Sequence, residues 1–426
     1  MRLSKVNVFY DSLLNKQMSY KQNTLWYSMG SLCSAVTSVL LMLYVTRILG
    51  VEEAGVFAIA NSIAQLMLTV GWFSTRQFQV SDIHEEYKFH DYLSLKLLTS
   101  VISVLGGVVY SIALHNYGYK LWITFLFCSF FVGDIFADLN SARFQQTGKL
   151  YIAGMSYVMR YIGDNIVFLS ALLITHNLSV ALISTLLYTI VELAVFDYPL
   201  ITRISDVSVH FDVSRIFTLA KNCFPLFISS FVTNFIVNIP KNAIELFLTP
   251  DIQTYYNIIF MPSSVINLFC MFAFVPLYTQ IAKTWHEGSY DEFIRLVIRV
   301  LLLATGMGLG ILVLAFVAGI PVLSLVYGVS LTDYKLPFII LIIAGCFNSL
   351  NAIIAYLFTV IRKQHYLLGI YVTSMVCCQL CINLLIQNFG ILGASLDYLI
   401  GMASITVLLV FFFCIQLHKE KMESER

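Results

Sequence analysis

The chain has 426 residues, 59% of them hydrophobic and 12% charged, with a net charge of +1 and a mean hydropathy of +0.82. A soluble domain carries about 25% charged residues, so this chain lacks the side chains to make a water-facing surface. The near-zero net charge removes any bulk electrostatic case for nucleic acid, and no G-x-x-x-x-G-K-[ST] pattern is present to cradle a nucleotide phosphate.

Residues 1–21, with Lys5, Lys16 and Lys21, read as a cytosolic or interfacial lead-in. The apolar run that follows is too long for the core of a cleaved signal and has no small-residue cleavage pattern after it. Runs of about 20 apolar residues, each enough to cross a hydrocarbon layer of roughly 30 Å, then recur to the end of the chain. They predict twelve transmembrane helices near 22–46, 54–74, 93–114, 121–141, 151–174, 179–201, 222–240, 253–277, 296–319, 336–361, 365–386 and 392–416. The runs do not alternate polar and apolar residues, which excludes a β-barrel.

Sorting the Lys and Arg by connection places 21 of 25 on one side. Arg47, Lys120, Lys241 and Lys335 fall on the other. The positive-inside rule therefore puts both termini in the cytosol. All outer loops are short, and no connection is large enough for a nucleotide-binding domain or a catalytic ectodomain.

In chain order, the first span ends in "TRILGVEEAGVFA" (Thr46–Ala58), where Gly50 and Gly55 would allow a tight reversal. Arg47 closes that span at the outer surface. It would receive an anion there, or snorkel to headgroups. "HEEYKFHD" (His84–Asp91) carries metal-ligand residue types but reads as a charged cytosolic loop rather than a metal site. Asp134 and Asp138 lie in the fourth span, and Arg160 and Asp164 in the fifth. Asp134 and Arg160 are symmetric about residue 147, in the turn "QQTGK", so antiparallel helices bring them to one depth and an ion pair is expected. Arg160 and Asp164, four apart, share a face. Together they form either a structural pair or a polar patch lining a cavity. Asp138 and Arg143 are expected near the inner surface, solvated; Glu192 and Asp197 lie in the sixth span, Asp197 near the inner headgroups. In the seventh span Asn234, Asn238 and Lys241 fall on one face. Pro240 would interrupt the hydrogen bonding and leave Lys241 at the end of the helix; interhelical amide contacts are the alternative. Cys377, Cys378 and Cys381 sit in an apolar span without a nearby His or carboxylate, and read as packing residues rather than a metal site. Asp397 is the one charge of the twelfth span.

The chain also reads as two halves. "GVEEAGVFA" (Gly50–Ala58) aligns with "TPDIQTYYN" (Thr249–Asn257), and "FQQTGKLYIAG" (Phe144–Gly154) with "FTVIRKQHYLLG" (Phe358–Gly369). The first pair follows the first helix of each half and the second pair the fourth. Six helices per half make the repeats parallel, with a central cavity between two bundles. The expected organisation is a lead-in at 1–21, bundles at 22–201 and 222–416 joined by a cytosolic connection at 202–221, and a tail at 417–426.

"TRILGVEEAGVFAIANSIAQLM", "FPLFISSFVTNFIVNIPKNAIELFLTPDIQTYYNIIFMP" and "IQNFGILGASLDYLIG" resemble the polysaccharide-export group, which includes the O-antigen flippases and is related to the multidrug (MATE) exporters. The resemblance implies a MATE-like fold. It also implies a flippase of the bacterial inner membrane, with a polyprenyl-pyrophosphate-linked oligosaccharide as substrate, and contact with other polysaccharide-assembly membrane proteins. On this reading the substrate cavity is lined by Arg47, Asp134, Arg160, Asp164, Asn234, Asn238, Lys241 and Asp397. No cofactor, metal or enzymatic activity is expected, H⁺ or Na⁺ coupling is open, and a MATE-like exporter of drugs or small solutes is the alternative.

Overall fold

In a computed structural model of the chain, residues 2–82, 85–361 and 363–424 are described, and among them the structure is helical without strands. His84, named above, lies outside the described residues. The order is α1 (Arg2–Asn15), α2 (Tyr20–Ile48), α3 (Val51–Trp72), α4 (Thr75–Ser81), α5 (Phe89–Ala113), α6 (Tyr119–Gln146), α7 (Leu150–Thr175) and α8 (Leu178–Glu192). A π-turn at Leu193–Asp197 leads into α9 (Tyr198–Ile201). Then follow α10 (Val213–Phe247), α11 (Pro250–His286), α12 (Tyr290–Leu314), α13 (Ile320–Tyr327), α14 (Lys335–Val360) and α15 (His365–Ser424).

Ten of the described segments are long and apolar enough to cross a membrane. The last, His365–Glu420, is two helices joined at Gly390, whose φ of 54° and ψ of −128° break the helix. That conformation is open only to glycine. Between the seventh and eighth of the ten stands α11, 37 residues long and free of charge between Asp251 and Lys283. With these the layout has the twelve helices that the apolar runs predict. The two aligned sequence pairs fall at equivalent reversals. Gly50 and Thr249 each cap the N-terminus of a second helix, and the turns after Gln146 and Val360 each follow a fourth.

Two compact units divide the chain between Phe231 and Val232, inside α10. In the N-terminal unit, α3 is the inner helix, with 72% of its apolar window buried. Small and hydroxylic side chains let its neighbours approach. Ser103 of α5 donates to Met67 O at 2.8 Å and Thr99 to Gly71 O at 2.9 Å, contacts that replace water inside a bilayer. α1 lies against the end of this unit. Arg203 Nε is 3.0 Å from Asp11 Oδ1, and the Tyr151 hydroxyl donates to Leu13 O. In the C-terminal unit, the segment Tyr290–Tyr327 is the opposite of α3. Only 6% of its window is buried, and Leu302, Leu309, Val313, Leu314 and Val317 all face outward. An exposed apolar face of that extent belongs against lipid.

Three expectations need correction. α10 does not break at Pro240; it continues seven residues further, to Phe247. Proline removes one donor without forcing a turn where neighbouring helices hold the chain. Lys241 therefore lies within the helix, 8% exposed, rather than at its end. The connection expected at 202–221 is shorter, because α10 already starts at Val213. Of the two glycines in the first reversal only Gly50, with φ 90°, sits in the turn; Gly55 lies inside α3.

Candidate functional site

The ionisable side chains of the N-terminal unit gather where α6, α7 and α8 meet. Gly148, with φ 75°, closes the turn from α6 to α7, and Asp134 and Arg160 then meet at one depth. Arg160 Nη2 lies 2.6 Å from Asp134 Oδ1. Arg160 Nη1 donates to Gly133 O at 3.2 Å and Nη2 to the Tyr161 hydroxyl at 3.1 Å; that hydroxyl in turn donates to Asp134 Oδ1 at 3.1 Å. The guanidinium also stands over the rings of Tyr157, at 5.3 Å, and Tyr161, at 4.8 Å. Arg160 is 1% exposed, so burial demands this many partners.

A second group of acids adjoins the pair. Asp164, one turn beyond Arg160, accepts from Thr189 Oγ1 at 2.9 Å through Oδ1, and its Oδ2 has no partner. Glu192 stands at the end of α8, where the π-turn begins, and Asp197 at the turn's far end. Ser156 donates to Glu192 Oε1 in a long contact of 3.4 Å, and Asn140 Nδ2 to Asp197 Oδ2 at 3.1 Å. Glu192 Oε2 and Asp197 Oδ1 are buried without a partner. The π-turn inserts a residue into the helix and so re-aims both acids inward. Asp197 is 1% exposed. Each of the three carboxylates thus has one spare oxygen on which a proton could sit.

Asp138 also departs from expectation. It is 8% exposed, not solvated. Lys96 Nζ lies 3.1 Å from its Oδ2 and Arg76 Nη1 3.3 Å from its Oδ1. Arg76 further donates to Ser141 Oγ and Gln145 Oε1, both at 2.9 Å, and Lys96 to Trp72 O at 2.9 Å. Lys96 and Arg76 thus reach into the bundle from α5 and α4. Arg143 is likewise engaged, 2.6 Å from Glu85 Oε1 and 2.7 Å from Ser205 Oγ.

The remaining sequence candidates are spread wider. Arg47 is exposed in the last turn of α2, where a cation suits the helix dipole. In the C-terminal unit Asn234 is exposed, and Asn238 is buried with its Nδ2 donating to Asn234 O at 2.8 Å. Lys241 Nζ sits 4.8 Å from the Phe260 ring centroid and forms no hydrogen bond or ion pair among the described residues. Asp397 is fully buried on α15 with neither carboxylate oxygen partnered. Among the described residues no three His, Cys, Asp or Glu side chains converge to hold a metal ion.

The C-terminal unit also has an open pocket of about 360 Å³ that none of the eight candidates lines, with Tyr356 and Thr359 exposed at it. Its walls come from α10, α11, α14 and both arms of α15, and include Asn267, Asn348, Asn351, Tyr356 and Tyr371. The signal was present in "CFNSLNAIIAY" (Cys346–Tyr356), two amides three residues apart within an apolar span. An unneeded amide is expensive there, and the charged positions drew attention from it.

No family model and no curated protein matches the chain. Solved structures do. An inward-facing multidrug resistance MATE transporter of the MOP superfamily superposes with a TM-score of 0.70 at 12% identity, over 91% of this chain and 96% of the other. The lipid II flippase MurJ in an inward closed conformation gives 0.69 at 13%, over 91% and 87%. The Vibrio cholerae MATE transporter VcmN in its bent form gives 0.55 at 14%, over 97% and 99%. At these identities the likeness is one of fold: the chain has the all-helical membrane architecture shared by MATE transporters and the lipid II flippase.

Proposed function

We propose that the chain is a flippase. It moves a polyprenyl-pyrophosphate-linked oligosaccharide, an O-antigen or similar repeat unit, from the inner to the outer leaflet of a bacterial cytoplasmic membrane. Both termini are cytosolic, and transport proceeds by alternating access. The observation that carries this reading is Lys241, a cation in a membrane-spanning helix with no carboxylate to neutralise it. Such a charge is costly unless it serves a ligand, and a diphosphate is the ligand it suits. Arg47, at the end of the equivalent helix of the first half, supplies a second cation. The short outer loops and the fold shared with a lipid II flippase support the same reading.

Asp134, Arg160, Asp164, Asn234, Asn238 and Asp397 contribute the rest of the polar lining as the units move. The spare oxygens of Asp164, Glu192 and Asp197 offer places for a proton if transport is coupled to H⁺; coupling to Na⁺ is open. That acidic group also favours a second reading, a cation-coupled exporter of drugs or small solutes, which the MATE likeness supports. Deletion of the gene separates the two. Lipid-linked repeat units accumulating on the inner leaflet, with loss of surface polysaccharide, follow from the flippase. An unchanged glycan with altered drug sensitivity follows from the exporter.

A further inference from the structure

We propose that the cavity inside the C-terminal unit is a subsite for one neutral, hydroxyl-rich ring, a sugar residue of the substrate's glycan. The proposal rests on the flippase reading for its source of sugar, but its physical argument is independent of it.

The pocket is lined by three asparagines, two threonines and two tyrosines, the remaining walls being apolar, and among the described residues no carboxylate, lysine, arginine or histidine lines it. A membrane-spanning bundle has no use for amides unless they are satisfied. Asn351 is satisfied. Its Nδ2 donates to Met402 O at 2.9 Å and its Oδ1 accepts from Thr406 Oγ1 at 2.6 Å. It ties α14 to the second arm of α15 and fixes the floor. Asn348, one turn earlier on the same face, makes no hydrogen bond among the described residues, nor does the Tyr371 hydroxyl on the first arm of α15. Asn267 Oδ1, entering from α11, is buried without a partner. Three unused polar groups on three helices therefore point at one space.

Chemistry narrows the occupant. An amide donates and accepts at once, as a sugar hydroxyl does, and the rings of Tyr356 and Tyr371 add apolar surface for the C–H side of a pyranose. An anionic sugar would bury its carboxylate with no cation to meet it, and an organic cation would find no acid. A volume of about 360 Å³ is at the small end of ligand sites, the size of a ring rather than a chain.

The test uses the purified full-length chain in detergent and saturation-transfer NMR with free sugars. The probes are methyl glucoside, methyl rhamnoside, N-acetylglucosamine and glucuronate. The proposal expects transfer to at least one neutral sugar and none to glucuronate. It also expects about threefold to tenfold weaker binding for Asn348→Ala and for Tyr371→Phe, the loss of one hydrogen bond each. Transfer to no neutral sugar, glucuronate binding as well as the neutral probes, or neutral binding unmoved by both substitutions would each overturn it; in the last case the cavity holds only water. Should one substitution prevent folding, the other and the neutral-against-anionic contrast of the unaltered protein still decide. Gene deletion separates this from the wider reading. Accumulated lipid-linked units with no sugar binding leave the flippase standing and remove the subsite. Sugar binding with an unchanged glycan pool does the reverse.

Discussion

Replacing Arg160 by Met tests whether the buried pair in the N-terminal unit organises its bundle. The guanidinium holds Asp134 at 2.6 Å, bonds to Gly133 O and the Tyr161 hydroxyl, and covers two aromatic rings. Without it, Asp134 keeps only the Tyr161 hydroxyl at 3.1 Å. A buried carboxylate left this way costs about 3–5 kcal/mol. Asp134→Asn is milder. Arg160 retains Gly133, Tyr161 and both rings, so the loss approaches that of one charged hydrogen bond, about 1.5–3 kcal/mol. In the double variant no unpaired charge remains. It should be no less stable than Arg160→Met alone, giving a coupling of at least about 1.5 kcal/mol. Denaturant titration of the four proteins in mixed micelles measures this. If the two single losses simply add, the pair does not act as a unit and the reasoning fails.

Asp138→Asn leaves Lys96 fully buried beside Arg76 with their shared carboxylate gone. The same titration should record a loss of about 3–5 kcal/mol, partly recovered by adding Lys96→Met. Gly390→Ala forces a side chain into a φ of 54° with ψ −128°, for a cost of about 1–3 kcal/mol; a thermal midpoint equal to that of the parent would contradict the break. Asp164→Asn with Glu192→Gln should abolish any dependence of transport on a H⁺ or Na⁺ gradient while the protein still folds, measured in vesicles with imposed gradients. Unaltered gradient dependence would show that coupling lies elsewhere.

Span number, order and the two-half layout were legible because apolar runs of about 20 residues have one inexpensive structure in lipid. The Asp134–Arg160 pairing was legible too, since a tight turn fixes the depth of residues equidistant from it. What escaped followed from the third dimension. The contacts of Lys96 and Arg76 with Asp138 join residues 42 and 62 positions apart, which hydropathy cannot show. Pro240 read as a break because sequence shows the missing donor and not the neighbouring helices. The π-turn at Leu193–Asp197 has one sequence signal, Pro199 just beyond it, whose missing N–H cannot bond Val195 O. Asn348 and Asn267 lie 81 residues apart in sequence, and only the bundle's packing brings them to one cavity.

The central claim is that the chain moves a lipid-linked oligosaccharide across a bilayer. The most direct measurement reconstitutes the purified protein in vesicles carrying that lipid on both leaflets and follows the glycan's accessibility to a membrane-impermeant lectin or periodate. The account expects the protected fraction to fall towards zero with the intact protein, and to stay near half in empty vesicles and with Lys241→Ala. A protected fraction that stays at half with the intact protein, in vesicles where it does transport an organic cation, would contradict it.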